Sequence, residues 1–80
     1  MVKLKFKSKD DKKVEYYYQP ECKGEWGIVS MDFTTRKINA DLRAESDYEG
    51  SKIYTSMCAA ELRKYIDANN FIKEKTIIWY

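Results

Sequence analysis

Four lysines stand at alternate positions near the start of the chain: Lys3, Lys5, Lys7 and Lys9, interleaved with Val2, Leu4 and Phe6. A strand sends successive side chains to opposite faces, so the pattern predicts one apolar row and one row of ammonium groups. Such a row suits two tasks. It can neutralise the phosphates of a nucleic acid, with Lys12 and Lys13 extending the track. It can also guard an edge strand, because charged side chains blunt the pairing of an open edge with other chains. Asp10, Asp11 and Glu15 lie close by in sequence and repel phosphates, which favours the edge guard.

Other reactive residue types are sparse. The chain has no histidine, so the usual general base near neutral pH is missing and every triad that needs one is excluded. Cys22 has Lys23 beside it but also Glu21 and Glu25, a poor setting for a thiolate, and reads as a loop thiol. Cys58 falls on an apolar helix face, where a free cysteine behaves as a small hydrophobe. Two cysteines without a histidine cannot close a zinc site. Asp41, Glu45, Asp47 and Glu49 offer oxygen ligands but lack the spacing of a calcium loop. No glycine-rich segment precedes the helix to cradle a phosphate. The expectation is therefore no catalytic residue, no cofactor and no metal. The remaining enzymatic class would use carboxylates and tyrosines alone, and needs a cleft with a displaced carboxylate pKa.

Aromatic residues are the richest resource, twelve in all, seven of them tyrosine. In the run Tyr16-Tyr17-Tyr18, Val14 shares parity with Tyr16 and Tyr18, so those three are predicted inward and Tyr17 outward. An outward Tyr17 beside Trp26, joined by Trp79, makes an aromatic patch of the kind enriched at protein interfaces. The competing reading is that the tyrosines only shield a sheet face that no second layer covers.

These side chains need elements to hold them. Residues 2–8 read as a first strand and 14–18 as a second, joined by the polar turn Lys9-Asp10-Asp11-Lys12 and ended by Pro20. A third strand runs from Trp26 to Phe33, with Val29, Met31 and Phe33 on the core face and Trp26, Ile28, Ser30 and Asp32 on the other. Residues 37–43 alternate again, with Ile38, Ala40 and Leu42 predicted inward. An acidic loop, 44–50, leads to a helix over 51–68 with Ser51 as its cap. Tyr54, Met57, Cys58, Leu62, Tyr65 and Ile66 share one side of that helix. Asn69-Asn70 ends it, and 76–80 returns as a last strand. The order β-β-β-β-α-β predicts an α+β two-layer sandwich: an antiparallel sheet of about five strands with one helix on one face.

At 80 residues, 44% hydrophobic and 35% charged, the chain is long enough for a single domain with one core and too apolar for a disordered tail. Charge is segregated along the sequence: residues 1–13 hold six lysines against two aspartates, while 41–49 hold four acidic residues against Arg43. No leader-like apolar segment opens the chain, and no stretch approaches a membrane span. Two cysteines with no oxidising context point to a cytoplasmic protein with reduced thiols.

The residues Tyr16-Tyr17-Tyr18-Gln19-Pro20-Glu21, Gly24, and Gly27-Ile28-Val29-Ser30-Met31-Asp32, followed by a helix and a terminal Trp79-Tyr80, resemble a family of small uncharacterised bacterial proteins. The resemblance covers about residues 16–80 and implies a compact module that stands alone rather than fused to an enzyme. It assigns no functional residues. The function expected from the residues themselves is a small non-enzymatic binding module. It works through a protein partner or a homodimer, with Tyr17, Trp26 and Trp79 at the contact. The alternative is a nucleic-acid-binding module using Lys3, Lys5, Lys7 and Lys9. No membrane contact is expected.

Overall fold

The computed structural model describes residues 1–47 and 53–78. Its elements are β1 (Val2–Lys9), β2 (Lys13–Pro20), β3 (Gly27–Asp32), β4 (Ile38–Leu42), α1 (Ile53–Ala68) and β5 (Glu74–Ile77). They form one antiparallel sheet in the order β4-β3-β2-β1-β5, with α1 covering one face. This is the α+β sandwich that the sequence predicts. The expected cap Ser51 and the terminal Trp79-Tyr80 lie outside the described residues.

The hairpin β1–β2 turns where expected. Asp10 accepts backbone hydrogen bonds from Lys12 (2.7 Å) and Lys13 (2.9 Å) through one carboxylate oxygen. Asp32 does the same for Thr34 and Thr35 at the β3–β4 turn. Both carboxyls are held below their ordinary pKa chiefly by these amide donors. Asn69 closes α1 in the left-handed conformation (φ 49°), which Asn tolerates better than most residues.

The core lies between sheet and helix. Val2 and Leu4 of β1, Val14, Tyr16 and Tyr18 of β2, and Val29 and Met31 of β3 are fully buried there. They meet Tyr54, Cys58, Ala59, Leu62 and Tyr65 of α1. The predicted parity of the tyrosine run holds. Burying each large side chain contributes about 1.5–3 kcal/mol, which a one-helix domain needs. Gly27 marks a tight crossing. A Cβ there would come within 2.5 Å of the Leu42 carbonyl oxygen and the Ala44 nitrogen, both backbone atoms.

Two β-bulges change the parity read from the sequence. On β1, Phe6 faces Tyr16 but Ser8 faces Glu15, so Lys7 is an extra residue. Beyond it Lys9 pairs with Val14 and turns to the helix side, where its ammonium lies 5.4 Å from the Phe71 ring centre. The four-lysine row therefore ends at Lys7. On β4, Ala40 faces Val29 but Leu42 faces Ile28, leaving Asp41 as the extra residue. Leu42, predicted inward, is thus turned to the open face and is 53% exposed. A one-residue insertion has this effect because the side-chain period of a strand is two. The edge-guard reading of the lysines also fails, because β1 is an interior strand, paired with β2 on one side and β5 on the other.

α1 buries two residues beyond the set read from its apolar pattern, Ala59 and Glu61. Glu61 is buried at 5% exposure. Its carboxylate pairs with Lys75 of β5 at 2.9 Å and with Lys64 at 3.6 Å, tying the edge strand to the helix. Burial pushes this carboxyl up. Lys75, the Tyr65 hydroxyl beside it and Lys64 outweigh that, and its pKa lies below the ordinary 4.5. The charge therefore adds stability above the unfolded value and loses it as pH falls through the folded one. In urea titrations, Glu61→Gln should flatten the decline in stability below about pH 4.5. Gly27→Ala should cost about 1–3 kcal/mol in the same measurement through overpacking against backbone that cannot yield.

Candidate functional site

One layer of helix leaves one face of the sheet uncovered, and the register decides what that face displays. Residues directly opposite on antiparallel strands share a face. Lys5 faces Tyr17, Tyr17 faces Ile28, and Ile28 faces Leu42, so a single cross-strand row runs Lys5–Tyr17–Ile28–Leu42 from β1 to β4. Glu74 of β5 lies across from Lys5 and extends the row at its cationic end. A neighbouring row carries Ser8, Glu15, Ser30 and Asn39, of which Ser30, expected in water, is buried.

Lys5, Tyr17 and Trp26 line an open hollow of about 270 Å³ in this face. Tyr17 and Trp26 are both half-buried, and Lys5 is exposed. Trp26 directly precedes Gly27, whose missing Cβ lets the backbone of Leu42 and Ala44 pass close to the start of β3. Lys3 lies on the same face as Lys5, opposite Gln19 and Thr76. Lys7 also serves this face, but Glu15 holds its ammonium at 3.8 Å. The structure therefore brings together Tyr17, Trp26, Lys3, Lys5 and Lys7, and sends Lys9 elsewhere. Trp79 lies outside the described residues. Ile28 and Leu42 complete the site. Ile28 was legible as an outward position, whereas Leu42 arrives only through the bulge at Asp41.

The hollow joins two aromatic side chains and one ammonium. Two aromatic side chains offer area for a flat or branched apolar group, and the ammonium that lines the hollow with them suits an anion attached to that group. Among the described residues, every carboxyl with a displaced pKa is displaced downward: Asp10, Glu21, Asp32 and Glu61. Glu21 is held down by the Met1 ammonium at 3.0 Å and by the Tyr54 hydroxyl, which donates to it at 2.9 Å. A general acid needs the opposite displacement. No cluster of three or more Cys, Asp or Glu side chains arranged to hold a metal occurs among the described residues. None of the described helices is long and apolar enough to cross a membrane.

The acidic loop after β4 is tied down on its near side. Tyr18 donates its hydroxyl to Asp47 at 2.6 Å and accepts from the Ala44 amide at 3.1 Å. Ser46 donates to the Lys23 carbonyl at 2.9 Å. Asp47, read in the sequence as one of several solvated acids, is buried. Burial first, and the Asp47 carboxylate second, push the Tyr18 hydroxyl up to about 12.

No family model, curated protein or solved structure matches the chain.

The two thiols differ in a way that can be read directly. Cys22 is exposed in a tight turn, while Cys58 is buried under the sheet, and burial pushes its thiol up to about 12. In the native protein an aromatic disulfide reagent should titrate one thiol rapidly, and the second only after denaturation. Rapid reaction of both would contradict the packing of α1.

Proposed function

We propose that the protein is a small non-enzymatic binding module that docks a protein partner on its open sheet face. The observation that carries this reading is the hollow lined by Lys5, Tyr17 and Trp26, continued across the sheet by Ile28 and Leu42. Aromatic side chains that are half-covered and cluster at the centre of a face supply most of the energy in protein interfaces. The cation beside them sets the partner's chemistry: an apolar side chain with a carboxylate next to it. Burial of the apolar group supplies affinity, and the Lys5–carboxylate pair supplies orientation.

Peptide display against the protein tests this. The expected selection is peptides with an aliphatic or aromatic residue beside Asp or Glu. Tyr17→Ala or Trp26→Ala should weaken them roughly 10- to 100-fold. Peptides indifferent to both substitutions would overturn the reading.

A second reading has one observation in its favour. Because β1 is interior, Lys3 and Lys5 are not edge guards, and they share a face with two aromatic rings on which bases could stack. Against it, Glu15, Asp32 and Glu74 share that face, and Lys9 has left it. This reading requires retardation of single-stranded RNA or DNA that falls steeply with salt and is lost in Lys3→Glu/Lys5→Glu. The absence of retardation at low salt removes it.

A further inference from the structure

The open face carries both a hollow and a projection. The hollow is lined by Lys5, Tyr17 and Trp26. The projection is Leu42, 53% exposed at the far end of the same cross-strand row. Next to it in sequence stands Asp41, the exposed extra residue of the bulge. Leu42 thus has a carboxylate beside it on one side, the chemistry that the hollow suits, and on the other Arg43, whose guanidinium lies 3.5 Å from the Asp47 carboxylate. We infer that the partner on this face is a second copy of the chain, with Leu42 of each copy seated in the hollow of the other. This rests on the docking-face reading above and names its occupant.

The register selects the symmetry. Consider two copies stacked by their open faces and related by a two-fold axis parallel to the strands. Rotation about that axis keeps every residue at its own height along the strand and exchanges the two sides of the sheet. The row Lys5–Tyr17–Ile28–Leu42 then meets itself reversed. Leu42 of the second copy lands over Lys5 at the rim of the hollow, and Tyr17 over Ile28. Lys5 and Leu42 are three strand spacings apart, about 14 Å, so the two contacts are separate and equivalent. The interface is isologous and closes at a dimer. Near-aligned stacking of two sheets at about 10 Å is also the common way for sheets to pack.

Charge argues for the same axis. An axis lying across the strands would stack β1 on β1 and set Lys3, Lys5 and Lys7 of the two copies against each other, and like charges at an interface repel. The strand-parallel axis places these lysines over β4 of the other copy, where Asp41 stands.

Sedimentation of the full chain between about 10 µM and 1 mM should show a reversible dimer. Leu42→Asp should remain folded by circular dichroism and be monomeric throughout that range. The axis is tested at positions outside the contact itself. Ser8 and Asn39 lie at the two ends of the neighbouring row, so Ser8 of one copy should face Asn39 of the other. In a Cys22→Ser background, chains carrying Ser8→Cys and chains carrying Asn39→Cys are mixed with a short bismaleimide of about 10 Å span, matching the sheet spacing. Cross-linking is expected in the mixture and in neither chain alone. Cross-linking of Ser8→Cys with itself would overturn the geometry. A wild type that stays monomeric, yet still selects peptides dependent on Tyr17 and Trp26, would overturn the second copy and leave the docking face standing. A dimer indifferent to Leu42→Asp and Tyr17→Ala would overturn both.

Discussion

The strand β2 lies at the centre of the sheet, and the alternation of its three tyrosines organises everything around it. Tyr16 and Tyr18 are fully buried under α1, and a buried hydroxyl must find a partner. Tyr16 donates to the Ile72 carbonyl at 2.7 Å, which fixes the connection leading into β5. Tyr18 reaches the other way, to Asp47 and Ala44, and fixes the loop leaving β4. One strand thus anchors the two connections that flank the helix. Period two then leaves Tyr17 no choice but the open face. The residues that build the core and the residue at the centre of the candidate site are set by the same alternation.

The bulges work on the same physics in reverse. An extra residue at Lys7 removes Lys9 from the ammonium row and lays it over Phe71, where the flat ring face attracts the cation. Lys73 stands over Phe6 in the same manner at 4.6 Å. An extra residue at Asp41 brings Leu42 out to the open face. The first insertion makes that face less cationic and the second makes it more apolar.

Ionisable groups inside the domain act as ties between elements that apolar contact holds only lightly. β5 is four residues long and mostly exposed. Its ladder to β1 is supplemented by the Lys75–Glu61 pair. Removing one partner of such a pair costs more than the pair itself contributes, because a charge remains in a poorly solvated place. Asp47 is in a similar position, with its side chain wholly buried and held by Tyr18 and by Arg43 at 3.5 Å. On the open face the tie among charged groups is the Lys7–Glu15 pair between β1 and β2, at 3.8 Å. Tyr17, Lys3 and Lys5 lie on that face, outside the core between sheet and helix.

What the sequence determined by itself was periodicity. Val2 and Leu4 inward, Val14, Tyr16 and Tyr18 inward, Tyr17 outward, the Asp-led turn at Asp10 and the Asn stop at Asn69 all follow from local patterning. So does the two-layer architecture, because one helix can cover only one face of a sheet. What only the tertiary structure decided was everything that depends on pairing between strands. Nothing local to Lys7 or Asp41 marks either as a bulge, since an insertion is defined by the partner strand that fails to match it. The interior place of β1 depends on where β5 returns, a pairing separated by some seventy residues of chain. The burial of Glu61 and Asp47 depends on cations and hydroxyls supplied from other elements. The hollow is itself a product of register: Lys5, Tyr17 and Trp26 come from three segments, and only the alignment of β1, β2 and β3 brings them to one place.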